Sequence, residues 1–194
     1  PFDRIRTEHY EPAILKGIEL QKAEIEAITE SEEEPTFANT VEAYERSGSL
    51  LDRVTTVFSN MLSAETNDEL QALAQKVMPL LSEHSNNITL NEKLFARIKK
   101  VYDKRSTLGL TSEQNQLLEN IYDGFVRHGA NLEGKAREEY RRLTTELSTL
   151  TLSFGENNLK ETNQYQLCLT DEEDLSGLPD IVVETAAETA RNEG

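Results

Sequence analysis

The sequence predicts an all-α, multi-helix, bundle-like domain with one short strand over residues 165–169. Three observations carry that expectation. Apolar residues recur at intervals of three and four along most of the chain, capping patterns stand before several of those runs, and only nine Gly and five Pro punctuate 194 residues. That length points to one domain or slightly more, long enough to bury a substantial core.

The first helix is expected to have Pro12 in its opening turn and to carry Ile14, Ile18, Ile25 and Ile28. The acidic residues Glu30, Glu32, Glu33 and Glu34 then meet Pro35, which ends the helix in a loop. Thr36 is the candidate N-cap of a second, longer helix. Its stripe of Phe37, Val41, Tyr44, Gly48, Leu51, Thr55, Phe58 and Leu62 forms a heptad-like seam, with Gly48 and Thr55 as the small members.

Thr66 and Glu69 have capping-box spacing before Leu70, Leu73, Val77 and Leu81, and Pro79 predicts a kink or break in that run. Asn91 is placed to cap Leu94, Phe95, Ile98, Val101 and Tyr102, with Gly109 as the stop. Thr111 and Gln114 form a second box, opening Leu117, Leu118, Ile121, Tyr122 and Phe125, and Gly129 closes that helix. The last long seam is Leu132, Ala136, Tyr140, Leu143, Leu147, Leu150 and Phe154. Two such seams are expected to pack nearly antiparallel in a bundle.

After Asn163 the period changes to two: Tyr165, Leu167 and Leu169 alternate with Gln166, Cys168 and Thr170. No other strand is visible, so this one is expected to pair outside the chain, which then reads as cut from something larger. An acidic loop from Thr170 to Asp174 comes next, and Pro179 opens a final helix with Ile181, Val182, Ala186 and Ala190.

Charge and chemistry narrow the function classes. Lys and Arg total 20 against 36 Asp and Glu, a net charge of −16, which argues against duplex DNA and anionic membrane as partners. No apolar run approaches the ~20 residues of a membrane span. The single Cys168 rules out an intrachain disulfide and a cysteine zinc cluster. His9, His84 and His128 are far apart in sequence, none has a Glu three residues before it, and no His-Glu-x-x-His occurs.

Gly129 to Lys135 matches the G-x-x-x-x-G-K part of a phosphate loop. Ala136 stands where a magnesium-binding hydroxyl belongs, and the preceding segment is patterned as a helix rather than a strand. A helix-to-helix turn is the better reading. No G-x-S-x-G elbow occurs, and Cys168 has no His nearby in sequence. The acidic runs lack calcium-loop spacing, and Asn87-Ile88-Thr89 is a glycosylation sequon by pattern alone.

Several blocks carry a family resemblance. Pro1-Phe2-Asp3-Arg4-Ile5 with His9-Tyr10-Glu11-Pro12-Ala13 form the first. Pro35 to Thr40 with Glu45-Arg46-Ser47-Gly48 and Leu51 form the second. Leu108-Gly109-Leu110, Phe125 to Ala130, and Phe154 to Leu159 complete the set. In order and distance they resemble the N-terminal region of the M3 zinc peptidases, most closely the peptidyl-dipeptidase (dipeptidyl carboxypeptidase) branch, with oligopeptidase A and thimet oligopeptidase as relatives.

The resemblance implies the N-terminal fragment of a helical zinc metallopeptidase that removes C-terminal dipeptides from short peptides inside a channel. It implies zinc in the parent protein, held beyond Gly194, and no catalytic or metal-ligating residue on this chain; substrate-binding residues stay unassigned. Residues 1–163 are then a helical channel wall or lid that limits access, and 164–194 lead to the catalytic part. Tyr10 and Tyr44 could line that wall but equally suit the helix seams.

The fragment alone is expected to be inactive. Its partners are the short peptide substrate and the remainder of the same polypeptide. The opening residues lack a signal-peptide pattern, which favours the cytoplasm, while the missing initial Met leaves export open. The alternative is a free-standing acidic helical interaction module, and a nucleotide switch through Gly129 to Lys135 ranks last.

Overall fold

In the computed structural model, which describes residues 4–193, α1 spans Thr7–Thr29 and buries Tyr10, Ile14, Gly17, Ile25 and Ile28 along one face. Pro1, Phe2 and Asp3 of the family-like opening, and Gly194, lie outside the described residues. The helix starts earlier than expected, so Pro12 sits in its second turn and removes one i→i−4 bond. Before the first turn, the Arg6 N–H donates to His9 Nδ1 at 3.2 Å.

The single helix expected over residues 37–62 is three pieces. Thr36 caps as expected: its Oγ1 accepts the Asn39 N–H at 3.1 Å, and Asn39 Oδ1 accepts the Thr36 N–H at 2.8 Å. The cap opens a π-helical stretch, Phe37–Glu42, which continues as α2, Ala43–Arg46. Ser47 turns extended, Gly48 takes φ 74°, and α3 begins afresh as Ser49–Ala64. Gly48 is thus a left-handed hinge and not a small residue in a continuous seam. The hinge sends Phe37 and Val41 into one apolar cluster and Leu51 and Phe58 into another.

α4, Asp68–Thr89, runs unbroken past Pro79, so the expected break is absent. Its cap is Asn67, whose Oδ1 accepts the Leu70 N–H at 2.9 Å, one residue later than the expected Thr66 box. Thr66 Oγ1 is buried there without a hydrogen-bond partner. α5, Glu92–Asp103, is capped by Asn91 as expected (Leu94 N–H to Oδ1, 2.9 Å). The Thr111–Gln114 box opens α6, Ser112–Arg127, with bonds of 3.0 and 3.2 Å. Its end is a Schellman closure: the Ala130 N–H donates to Phe125 C=O at 2.9 Å and the Gly129 N–H to Val126 C=O at 3.1 Å, with Gly129 at φ 83°.

Two clusters hold these helices. One joins Tyr10 and Ile14 of α1 to Leu51 and Phe58 of α3 and Leu70, Ala74 and Val77 of α4. The other joins Ile25 and Ile28 to Phe37, Val41, Leu94, Ile98, Leu118 and Phe125. In the second, the Tyr102 and Tyr122 rings stack at 3.9 Å between centroids, and Phe95 stacks on Tyr122 at 5.7 Å.

α7, Gly134–Gln164, is the long helix the last seam predicts, but that seam is not buried. Leu143, Leu147, Leu150 and Phe154 are 49%, 62%, 58% and 74% exposed. The helix docks through other residues: Asn86 Nδ2 donates to Thr144 Oγ1 at 2.8 Å, Arg141 Nη1 to Asn87 Oδ1 at 2.7 Å, and Gln75 Nε2 to Glu156 Oε2 at 2.9 Å. Polar docking on α4 fixes the rotation of α7 and turns its leucines outward, so the expected seam-to-seam packing does not form.

The chain divides into two compact units, Pro1–Glu156 and Asn157–Gly194. In the second, the strand expected over 165–169 is absent: residues 165–170 have no regular structure, and Tyr165 and Leu167 are exposed. A strand exists by pairing, and no second extended segment among the described residues offers it a ladder. α8, Asp180–Glu193, comes after Pro179 as expected, yet none of residues 157–192 is buried.

Candidate functional site

A groove of about 610 Å³ with a buried titratable group lies between α1, α4 and the start of α5. The helical period puts Leu15, Ile18 and Ile25 of α1 on one wall and Leu80 and Ile88 of α4 on the other. His84, one turn before Ile88, is buried among them and pairs through Nε2 with Gln21 Oε1 at 2.9 Å. With that carbonyl as acceptor, Nε2 carries the proton and donates. Burial, and then the nearby charge of Lys22, push the imidazole below its ordinary pKa of 6.5. Lys22, Lys93, Glu26, Glu30 and Glu83 rim the groove, Lys93 pairing with Glu30 at 2.7 Å.

This arrangement suits an apolar side chain held between charged rims. The ring nitrogen that bonds within the groove meets an amide and not a nucleophile.

The remaining sequence candidates are dispersed. His9 caps the start of α1, and His128 Nδ1 bonds Gly124 C=O at 2.7 Å at the end of α6. With His84 on α4, the three imidazoles stand on or at the end of three different helices, each with a hydrogen bond. Among the described residues no group of three or more His, Cys, Asp and Glu is arranged to hold a metal ion. Cys168 is exposed. Gly129 to Glu133 form the turn between α6 and α7, leaving a helix where a phosphate loop would leave a strand. Tyr10 packs on Phe58 at 5.2 Å and Tyr44 on Phe125 at 5.4 Å, so both serve the cores.

One functional-looking residue escapes the sequence reading. Arg97 is buried on α5 and donates from Nη1 to the carbonyls of Ser31 and Glu33 at 2.9 and 3.1 Å, clamping the acidic loop. The signal was there: Arg97 sits between Leu94, Ile98 and Val101 on the stripe that the 3.6 period buries.

No protein-family model matches the chain. Known proteins do. The chain is 42% identical over its whole length to a dipeptidyl carboxypeptidase of Escherichia coli (strain K12), and 41% to that of Salmonella typhimurium. The chain is homologous to a segment of the dipeptidyl carboxypeptidases. At 26% identity, again over the whole chain, it matches an oligopeptidase A of Salmonella typhimurium, as the resemblance to the wider peptidase group implies. The chain spans 28% of the length of the two dipeptidyl carboxypeptidases and 29% of that oligopeptidase A, which fits an N-terminal region of such an enzyme. Among the described residues, no helix is long and apolar enough to cross a membrane.

Proposed function

We propose that this chain is the access-limiting helical part of a zinc metallopeptidase that removes dipeptides from the C-terminus of short peptides. The observation that carries the reading is 42% identity over the entire chain to a dipeptidyl carboxypeptidase of which it spans 28%. In this reading residues 1–163 form a wall of the substrate channel, and residues 164–194 lead on to the part that holds zinc. Zinc there would activate the attacking water. The helices of this chain contribute no reacting group; they admit an extended peptide and exclude folded protein. The dispersal of the imidazoles, on α1, on α4 and just past the end of α6, supports placing the metal elsewhere.

The test is a peptide assay on the polypeptide translated from the uninterrupted reading frame that contains this chain. The expected result is stepwise release of C-terminal dipeptides, abolished by a chelator and restored by zinc, with no cleavage by the 194-residue chain alone. Metal-independent cleavage, or none by the longer polypeptide, overturns the reading. Loss of discrimination between short and long substrates on disrupting the helical part would support the access role specifically.

A further inference from the structure

α7 is amphipathic the wrong way round for a free-standing domain. At about 100° per residue, Leu143, Leu147, Leu150 and Phe154 fall within about 60° of each other on the helix surface, opposite the face that docks. The docked face carries Thr144, which bonds Asn86, Ser148, and Leu152, which packs on the apolar cluster beneath. A leucine–phenylalanine stripe left in water while a threonine-bearing face is half-buried is unfavourable unless something covers the stripe.

We propose that an apolar surface of the same longer polypeptide, outside these 194 residues, covers the Leu143–Leu147–Leu150–Phe154 face of α7. This rests on the reading that the chain is part of a larger peptidase, and names the surface through which it joins the rest.

Two features select that occupant. The stripe is short, and four side chains amount to a few hundred Å², well under the roughly 800 Å² per partner of a stable interface between separate molecules. A patch that small is held when its partner is tethered, because the tether supplies an effective concentration near the millimolar range. Its edge also asks for little complementary charge. Arg142 bonds both Glu139 at 2.7 Å and Glu146 at 2.6 Å along the rim, so each carboxylate already has a cationic partner within α7 and the trio keeps one net negative charge. The covering surface is therefore apolar and not a basic patch drawn by the net negative charge.

Hydroxyl-radical footprinting read by mass spectrometry tests this on the 194-residue chain and on the polypeptide from the uninterrupted reading frame. The expected result is fast oxidation of Leu147 and Phe154 in the shorter chain at every concentration, and several-fold slower oxidation in the longer one. Introducing Leu147→Glu with Phe154→Glu in the longer polypeptide should restore fast oxidation of Leu143 and Leu150. Equal rates in the two polypeptides overturn the proposal, as does a frame that stops after Gly194. Protection already present in the shorter chain also overturns it: with a doubled mass the occupant is a second copy, and without one it lies within the chain. Dipeptide release, measured on the same preparation, separates the two readings. Protection without hydrolysis sinks the peptidase reading alone, and hydrolysis without protection sinks the surface alone.

Discussion

The Glu24 carboxylate of α1 accepts the main-chain N–H of Gly48 at 2.7 Å, tying the C-terminal part of one helix to the hinge between two others. Gly48 sits at φ 74°, and a Cβ there would overlap the Gln21 amide, which is itself held by His84. Gly48→Ala is therefore expected to lower stability by about 1–3 kcal/mol through backbone strain and the displaced Gln21. The urea midpoint reads this directly; an unchanged midpoint would mean the hinge relaxes freely.

Gly17 and Gly124 make a contrasting pair. A Cβ on Gly17 would lie 2.9 Å from Leu51 Cα, whereas on Gly124 it would meet nothing within 4 Å. Gly17→Ala should destabilise by about 1–3 kcal/mol because backbone cannot yield as a side chain can. Gly124→Ala, in a helix interior with open space, should stabilise by about 0.5–1 kcal/mol. Shifts of the same sign in thermal unfolding would contradict the close approach of α1 and α3.

His84 predicts a pH dependence whose sign comes from its lowered pKa. The unfolded chain takes up the proton near 6.5, before the folded one does, so the folded state is favoured above that value. That advantage is lost as pH falls below about 6.5 and levels off once the folded-state pKa is passed. Lys22 opposes a charge on the ring, while Lys93, Glu26, Glu30 and Glu83 stand on the same groove rim. His84→Gln should flatten the slope of stability just below about pH 6.5. Identical slopes in urea titrations of the two proteins would remove His84 as its source.

Arg97 separates loop anchoring from global stability. Its Nε and Nη2 are buried without hydrogen-bond partners, so it offers the core little beyond its two loop contacts. Arg97→Met is expected to change the urea midpoint by less than ~1 kcal/mol equivalent, since losing a buried charge offsets losing the bonds. Proteolysis between Glu30 and Pro35 should accelerate markedly. A large global loss with an unchanged loop would reverse that assignment.

By contrast, Phe58 is fully buried where α1, α3 and α4 meet, and Phe58→Ala should cost about 3–5 kcal/mol. Calorimetry of the variant checks it.

Helix identity was legible wherever a cap and a stripe agreed, as at Asn91 and at Thr111 with Gln114. The same period hid the break at Gly48, because a left-handed glycine and a small seam residue look alike in a three–four pattern. It also missed the outward turn of α7: periodicity identifies an apolar face but not what covers it, and hydrogen bonds from Asn86, Asn87 and Gln75 set the rotation. The strand over 165–169 failed for a related reason, since alternation is a local property and pairing is not. The family relationship was carried by whole blocks such as Phe125 to Ala130, where the Schellman turn now accounts for Gly129 and Ala130. Arg97 and the Gln21–His84 pair were harder to see, being contacts across 66 and 63 positions of sequence.

The stacked Tyr102 and Tyr122 rings give the molecule an internal optical reporter. With no Trp and six Tyr, near-ultraviolet absorption belongs to tyrosine, and two rings 3.9 Å apart and 8° from parallel couple their transitions. Circular dichroism in that band therefore tracks the docking of α5 on α6 without any label. α8 contains no tyrosine, so its melting leaves that signal untouched while the far-ultraviolet helix band declines. One sample, read at two wavelengths, distinguishes loss of the aromatic core from unravelling of the terminal helix.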